Sequence, residues 1–340
     1  MTGAGTDPAK FQAALVVLES MGLTVGDLTS PADTKQARPV PTFREWVPVV
    51  ADAVSDRTRT TYQHYWDLIV AEWGERRMDE VTPTEMTTKR EQVRRTALVR
   101  RTTRGGTAAA ENFVAALRCL YKYLVADTPM SENPALKVAK PRRPPSKRHA
   151  LSNTQLAELN AAAVTTGDDP ALDGLLLRTH TETASRRGAA LRLRRQDLDV
   201  RQCLVLLREK GGIDFWAPVS PTLMRHLVEH FDSRCGGSPE DQLLRYRDGR
   251  PLTTRRYDGL WLRLGEHLSW VRSMNVATHW LRHTTLTWVE RNFGYGVAKA
   301  YAGHFSNNDN TSTSSYIRAN LVEVATALSE LTGEKHPLVP

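Results

Sequence analysis

The run Cys203-Leu204-Val205-Leu206-Leu207-Arg208-Glu209-Lys210-Gly211-Gly212-Ile213-Asp214-Phe215-Trp216-Ala217-Pro218-Val219 decides how the rest of the chain is read. Cys203–Arg208 and Phe215–Val219 carry the branched and aromatic residues that fit a pleated surface, and Lys210-Gly211-Gly212 between them supplies a turn. One antiparallel hairpin is predicted here. On either side of it helical periodicity dominates. The expected fold class is therefore mainly α with a small antiparallel β-sheet.

The domain that carries this hairpin is placed at residues 151–320, starting where Leu151-Ser152-Asn153 offers helix-capping chemistry. Immediately before it the composition changes. Lys137, Lys140, Arg142, Arg143, Lys147 and Arg148 lie among Pro141, Pro144 and Pro145, with no acidic residue. Proline removes backbone donors and fixes φ, so residues 137–150 read as an extended basic linker. Residues 43–136 read as a small helical bundle. Phe43, Trp46, Val47, Val50 and Val54 share one helical face, and Ser55 can cap a second helix carrying Tyr62, Tyr65, Trp66, Ile69 and Trp73. A third helix is expected after Thr82-Pro83-Thr84. A fourth follows Gly105-Gly106, with Phe113, Leu117, Leu120 and Leu124 inward. Residues 8–22 suggest a short amphipathic helix, and the Pro, Thr and Asp between Thr29 and Thr42 suggest a linker, so 1–42 is an N-terminal extension.

Composition narrows the partners. The 340 residues contain 46 Lys+Arg against 38 Asp+Glu, a net charge of +8. Such an excess favours an anionic partner, nucleic acid first and an anionic membrane second. The only N-terminal apolar run, Ala13 to Leu18, is too short for a signal peptide, and nothing approaches the ~20 apolar residues of a membrane span. Cys119, Cys203 and Cys235 are odd in number and far apart, which fits neither a disulfide framework nor a metal site. A cytoplasmic, membrane-free protein is expected.

A second basic run, Lys89, Arg90, Arg94, Arg95, Arg100, Arg101 and Arg104, is opposed within its own segment only by Glu91. These residues, with the basic residues of the linker, are the candidate contacts to a DNA backbone, because neutralising phosphates releases counterions. The alternative is an ordinary solvated face and linker.

Chemistry on a phosphodiester needs a nucleophile, positive charge around the non-bridging oxygens and an acid for the leaving oxygen. Arginine suits the second role through its planar, permanently charged fork. Singly, the candidates are weak. Arg186 stands in a basic stretch, Lys210 is a turn lysine, and Tyr316 is one of 9 tyrosines. His279 and His283 have the i,i+4 spacing of a zinc-binding helix, but Trp280 stands where a zinc protease needs glutamate. No metal is expected. Their order is more informative. The chain runs Ala184-Ser185-Arg186-Arg187-Gly188-Ala189, Glu209-Lys210-Gly211-Gly212, Thr278-His279-Trp280-Leu281-Arg282-His283-Thr284, Ala302-Gly303-His304 and Tyr316-Ile317-Arg318.

This series resembles the tyrosine recombinase (phage integrase) family: arginine, β-turn lysine, His-x-x-Arg, Gly-His and tyrosine, in that order, across about 151–320. The resemblance implies a helical core-binding (SAM-like) domain and a catalytic domain forming a C-shaped clamp on DNA. By the same resemblance Tyr316 is the nucleophile, Arg186 and Arg282 bind the non-bridging oxygens, and Lys210 is the general acid. His279 takes up the tyrosine proton and His304 donates to the phosphate. No cofactor, metal or ATP is implied. The implied partners are a specific double-stranded DNA site, further copies of the chain as a tetramer on DNA, and an accessory DNA-bending or directionality protein. The implied location is the nucleoid. The chain departs from the pattern at Ala189, where many relatives carry an acidic residue. The His304–Tyr316 interval is also a few residues longer than common, and Asn307 to Asn310 suggests a flexible insertion. Residues 321–340 form a tail whose Leu321, Val324, Leu328 and Leu331 predict a helix, either packed on its own domain or exchanged between protomers.

Other readings are a type IB topoisomerase-like or transposon-encoded enzyme of the same chemistry, a catalytically inactive DNA-binding regulator, and a basic membrane-surface protein. The compact helical domain before the catalytic one disfavours the topoisomerase. The intact series of six side chains disfavours the regulator, and the lack of a basic amphipathic helix with exposed aromatics disfavours the last.

Overall fold

The computed structural model describes residues 8–22, 39–98, 105–142, 148–209, 214–234, 237–304 and 320–340. The chain divides into two compact units, Met1–Pro145 and Ser146–Pro340.

In the first unit, α1 (Pro8–Ser20) exposes Leu15, Val16 and Val17. The bundle follows in α2 (Phe43–Ala53), α3 (Asp56–Trp73), α4 (Pro83–Thr96) and α5 (Thr107–Asp127). Their starts are local chemistry. Thr42 and Thr82 close capping boxes with Glu45 and Glu85, and the Ser55 side chain accepts from the Thr58 amide. The bundle wraps around α5, whose Phe113, Leu117, Leu120 and Tyr121 are fully buried. Two buried indoles fix the packing register: Trp46 Nε1 donates to the Leu120 carbonyl at 3.1 Å and Trp66 Nε1 to that of Ala116 at 3.2 Å.

The basic linker is shorter than its composition suggests. Ala135 and Val138 are buried in the bundle core, and Arg118 donates to the carbonyls of Ala135 and Val138. At the other end, Leu151 N–H donates to Thr284 Oγ1 at 2.9 Å and the His149 ring meets Trp280 edge-on, so Arg148 onward follows the second unit. Arg143 and Lys147 lie outside the described residues.

The second unit contains α6 (Asn153–Thr165), α7 (Pro170–Thr183), the short α8 (Arg187–Leu191), α9 (Pro221–Arg234), α10 (Thr254–His267), α11 (Ser269–Met274), α12 (Thr278–Tyr301) and α13 (Leu321–Thr332). Its sheet has three strands in the order β1 (Leu198–Asp199), β2 (Leu204–Arg208), β3 (Asp214–Pro218), all antiparallel. The hairpin is the expected one, with Leu206 opposite Trp216; β1 is an addition to it. Residues 210–213 of its turn lie outside the described residues. The core joins Val205, Leu207 and Ala217 of the sheet to Leu176, Leu227, Leu264 and Leu281 of the helices.

α13 packs on its own unit: Val324, Ala327 and Leu328 are buried with Val289, Ala298 and Tyr301 of α12. The tail beyond it is also tied down. Glu334 accepts from Arg178 at 2.6 Å and from the Thr222 amide at 3.1 Å, while buried His336 donates to the Cys203 carbonyl at 3.1 Å. No described helix is long and apolar enough to cross a membrane.

Candidate active site

α7 ends at Thr183, and Ala184 follows in the left-handed region with φ 48°. That turn presents the Ala184 carbonyl to the Arg282 guanidinium, which bonds it from the first turns of α12. One residue further, buried Ser185 is held by His180: the ring Nδ1 lies 3.1 Å from the Ser185 carbonyl, and Nε2 lies 2.9 Å from the Tyr257 hydroxyl. Arg186 is therefore delivered from a turn fixed on both sides, as the N-cap of α8.

Arg282 has a 5% exposed side chain and spans the site. Besides Ala184 it donates to the Ala302 carbonyl at 2.9 Å and to His304 Nε2 at 3.2 Å. Burial, followed by repulsion from Arg186, lowers its pKa to about 10, so it remains charged at neutral pH. Arg186 reaches the same His304 Nε2 at 3.4 Å. His304 is placed by Gly303, whose φ of +64° and close approach to Phe215 exclude a side chain: an added Cβ would lie 2.1 Å from the Phe215 ring. Burial, then the charges of Arg282 and Arg186, hold His304 below the ordinary imidazole pKa. His279 is solvent-accessible, yet desolvation followed by repulsion from Arg148, Arg282 and Arg186 lowers it too.

Arg186, Arg282, His304 and His279 are thus brought into one neighbourhood. Lys210 and Tyr316, together with Asn307 to Asn310, lie outside the described residues. His283 faces Thr287 at 3.0 Å, and among the described residues no group of three or more His, Cys, Asp or Glu is placed to hold a metal.

Glu209 joins the site without having been singled out in the sequence. Its buried carboxylate accepts from the Arg186 guanidinium at 2.8 Å and from the Arg186 amide at 3.2 Å, and lies 3.9 Å from Arg282. Burial alone would raise its pKa; the bonds and charge of Arg186, with the charge of Arg282, hold it below the ordinary carboxylate value. A signal was available. Val205, Leu207 and Glu209 share one face of the strand and its continuation, so the acid falls on the buried side of a period-2 pattern.

The basic run of the first unit is more committed than its sequence implies. The expected shortage of acidic partners is corrected by Glu72, from a different helix, which binds Lys89. Glu91 binds both Arg90 and Arg94 at 2.7 Å, and Arg90 also donates to the Ala139 carbonyl. Arg95, Lys140, Arg142 and Arg148 are exposed, and Lys137 pairs with Glu132 at 2.8 Å. Arg100, Arg101 and Arg104 lie outside the described residues. A cleft of the second unit, about 1360 Å³ and lined by Arg178, Glu182, His230 and Trp288 among others, includes none of the arginine-cluster residues.

Comparison with known proteins bears on family and fold. Tyrosine recombinase XerC of Chlamydia trachomatis serovar L2 is 25% identical over 197 residues, which are 57% of this chain and 62% of that protein. The chain thus spans under two thirds of the length of this relative. A lambda integrase tetramer bound to a Holliday junction has the same fold, with a TM-score of 0.59 at 15% identity over 94% of this chain and 89% of that one. The Tn1549 transposon integrase in complex with circular intermediate DNA superposes with a TM-score of 0.60 at 16% identity, over 82% of this chain and 95% of its own. The sequence model of the Phage integrase family matches residues 149–321, just over half the chain and the whole of the arginine–histidine cluster, and the protein belongs to that family.

Proposed function

We propose that the protein is a site-specific DNA recombinase or integrase that breaks and rejoins strands through a 3′-phosphotyrosyl intermediate, without metal or ATP. The observation that carries this reading is the convergence of Arg186 and Arg282 on one point, His304 Nε2, beside the buried carboxylate of Glu209, which binds Arg186. Two guanidinium groups aimed at one small volume suit the non-bridging oxygens of a phosphodiester, whose charge redistributes in the transition state.

In this mechanism the Tyr316 oxygen attacks phosphorus and forms the phosphotyrosyl ester. The bond to the 5′-oxygen breaks, and that oxygen leaves as a hydroxyl with a proton from Lys210. His279 accepts the tyrosine proton, which its lowered pKa permits because the ring is neutral at pH 7. His304 donates to the bound phosphate. One diester replaces another, so a second 5′-hydroxyl can reverse the step and complete the exchange. Arg94, Arg95, Lys140, Arg142 and Arg148 are exposed cations suited to the DNA backbone. The solved neighbours are described as integrases on DNA, one of them a tetramer, which supports a tetramer of this chain on its recombination site. An accessory DNA-bending or directionality protein and a nucleoid location belong to the same proposal.

The test is a suicide-substrate reaction in EDTA. Wild type and Tyr316→Phe are incubated with nicked DNA from the flanks of the protein's own gene and separated on a denaturing gel. Wild type is expected to form a covalent DNA–protein adduct that Tyr316→Phe does not. An adduct that survives the substitution moves the nucleophile elsewhere; none at all, despite tight binding, refutes the catalytic reading.

A further inference from the structure

We propose that Glu209, the residue that follows β2, is the positioning residue of the arginine pair and fills a role that the helix carrying Arg186 leaves unfilled. The inference deepens the strand-cleavage reading and rests on it.

The argument begins at the start of α8. A helix leaves its first amide groups without intrahelical partners, and an acidic side chain at N3 commonly reaches back to the N-cap amide. Here the N-cap is Arg186 and N3 is Ala189, which has no acceptor, and the N-terminus of α8 carries no side-chain cap from its own residues. Glu209 fills the gap from another element: one oxygen takes the Arg186 amide at 3.2 Å and the other its guanidinium at 2.8 Å. Main chain and side chain of Arg186 are thus held by a single carboxylate, which fixes where the guanidinium points. The first oxygen also lies 3.9 Å from Arg282 Nη1, so one negative charge sits between two cations that would otherwise repel.

Glu209 can act as a fixed post because its own strand end is held. Arg208 grips Asp197 with both guanidinium nitrogens, the second at 2.5 Å, and Arg192 bonds the Arg208 carbonyl. The carboxylate is 5% exposed, so water competes little for it. Arg186 keeps 42% of its side chain exposed. One edge of this guanidinium is spent on the post, and the other faces His304 Nε2 at 3.4 Å.

The experiment compares wild type with Glu209→Gln, which keeps an acceptor for the Arg186 amide but removes the charge, and with the shorter Glu209→Asp. Three quantities are read on the full chain: DNA affinity, rate of covalent adduct formation, and the His304 titration followed by NMR without DNA. Glu209→Gln is expected to slow adduct formation roughly 10- to 100-fold, the scale of a small misplacement of a reacting group. DNA affinity is expected to stay within about twofold, since phosphate contacts elsewhere dominate it. The His304 pKa should fall further, because the Glu209 charge props it up against the arginines. Glu209→Asp, which restores the charge, should recover part of the rate and return the His304 titration toward wild type. Adduct formation at the wild-type rate, or an unmoved His304 titration in Glu209→Gln, overturns the proposal. The titration separates the two failures. If wild type forms no adduct the cleavage reading falls, and an unmoved His304 then removes Glu209's role as well. If Glu209→Gln does not fold, Glu209→Asp and its rate decide the matter.

Discussion

His180 and His230 are both buried as neutral rings, and acid must charge them. Burial is the main cause of pKa values of about 4 for each, with repulsion from Arg234 adding to it at His230. In the unfolded chain both titrate near the ordinary ~6.5. The unfolded state therefore binds protons first as pH falls, so the stability is fully present above about 6.5 and drains away toward 4. At pH 5 each ring should have removed roughly 2 kcal/mol relative to pH 7, about 4 kcal/mol for the pair. His279, His304 and His336 are also depressed and act in the same direction, while Glu182, whose burial raises its pKa, acts against them. His230→Gln isolates one ring from these others. His230 Nε2 accepts the Arg245 amide at 3.1 Å, which an imidazolium cannot do but a glutamine oxygen can. Urea unfolding at pH 7 and pH 5 should show His230→Gln losing about 2 kcal/mol less than wild type over that interval. Equal losses in the two proteins would refute the assignment.

Two further outcomes follow from the packing. Gly303→Ala adds a left-handed penalty of roughly 1–2 kcal/mol and a methyl group 2.1 Å from the Phe215 ring, so it should lower the melting temperature and suppress adduct formation while DNA binding in a mobility-shift assay persists. Asp173 is fully buried between Arg256 at 2.9 Å and Arg263 at 2.5 Å, so Asp173→Asn should destabilise the second unit by about 3–5 kcal/mol in chemical denaturation, and a loss under about 1 kcal/mol would contradict the geometry.

Much of the fold was legible because it rests on local signals. The bundle helices start at Thr42, Ser55 and Thr82, where the side chain caps its own helix, and Ser152 does the same for α6. The hairpin was legible from its two apolar runs, whereas β1 is two residues long and has no period to read. What escaped the sequence depends on distant partners. Glu72 reaches Lys89 from 17 positions away, and Val138 looks like linker until it is seen in the bundle core. At the site, the order of the arginines and histidines could be read along the chain. The acid at 209 could not be linked to the Ala189 position, because only the fold brings Glu209, at the end of β2, onto the amide at the start of α8.

The meeting of Arg186, Arg282 and His304 has a consequence for where one proton sits. Guanidinium groups only donate, so the Nε2 that faces both of them must be a bare lone pair, with the ring hydrogen on Nδ1. An imidazole nitrogen thus receives the hydrogens of both guanidinium groups. In the proposed reaction, a phosphoryl oxygen taking those hydrogens would release Nε2, and the ring could then carry its hydrogen on that side and turn from acceptor to donor. Loading the site would exchange one tautomer for the other, a change that nitrogen-15 chemical shifts of a single histidine would report without any bond being cut.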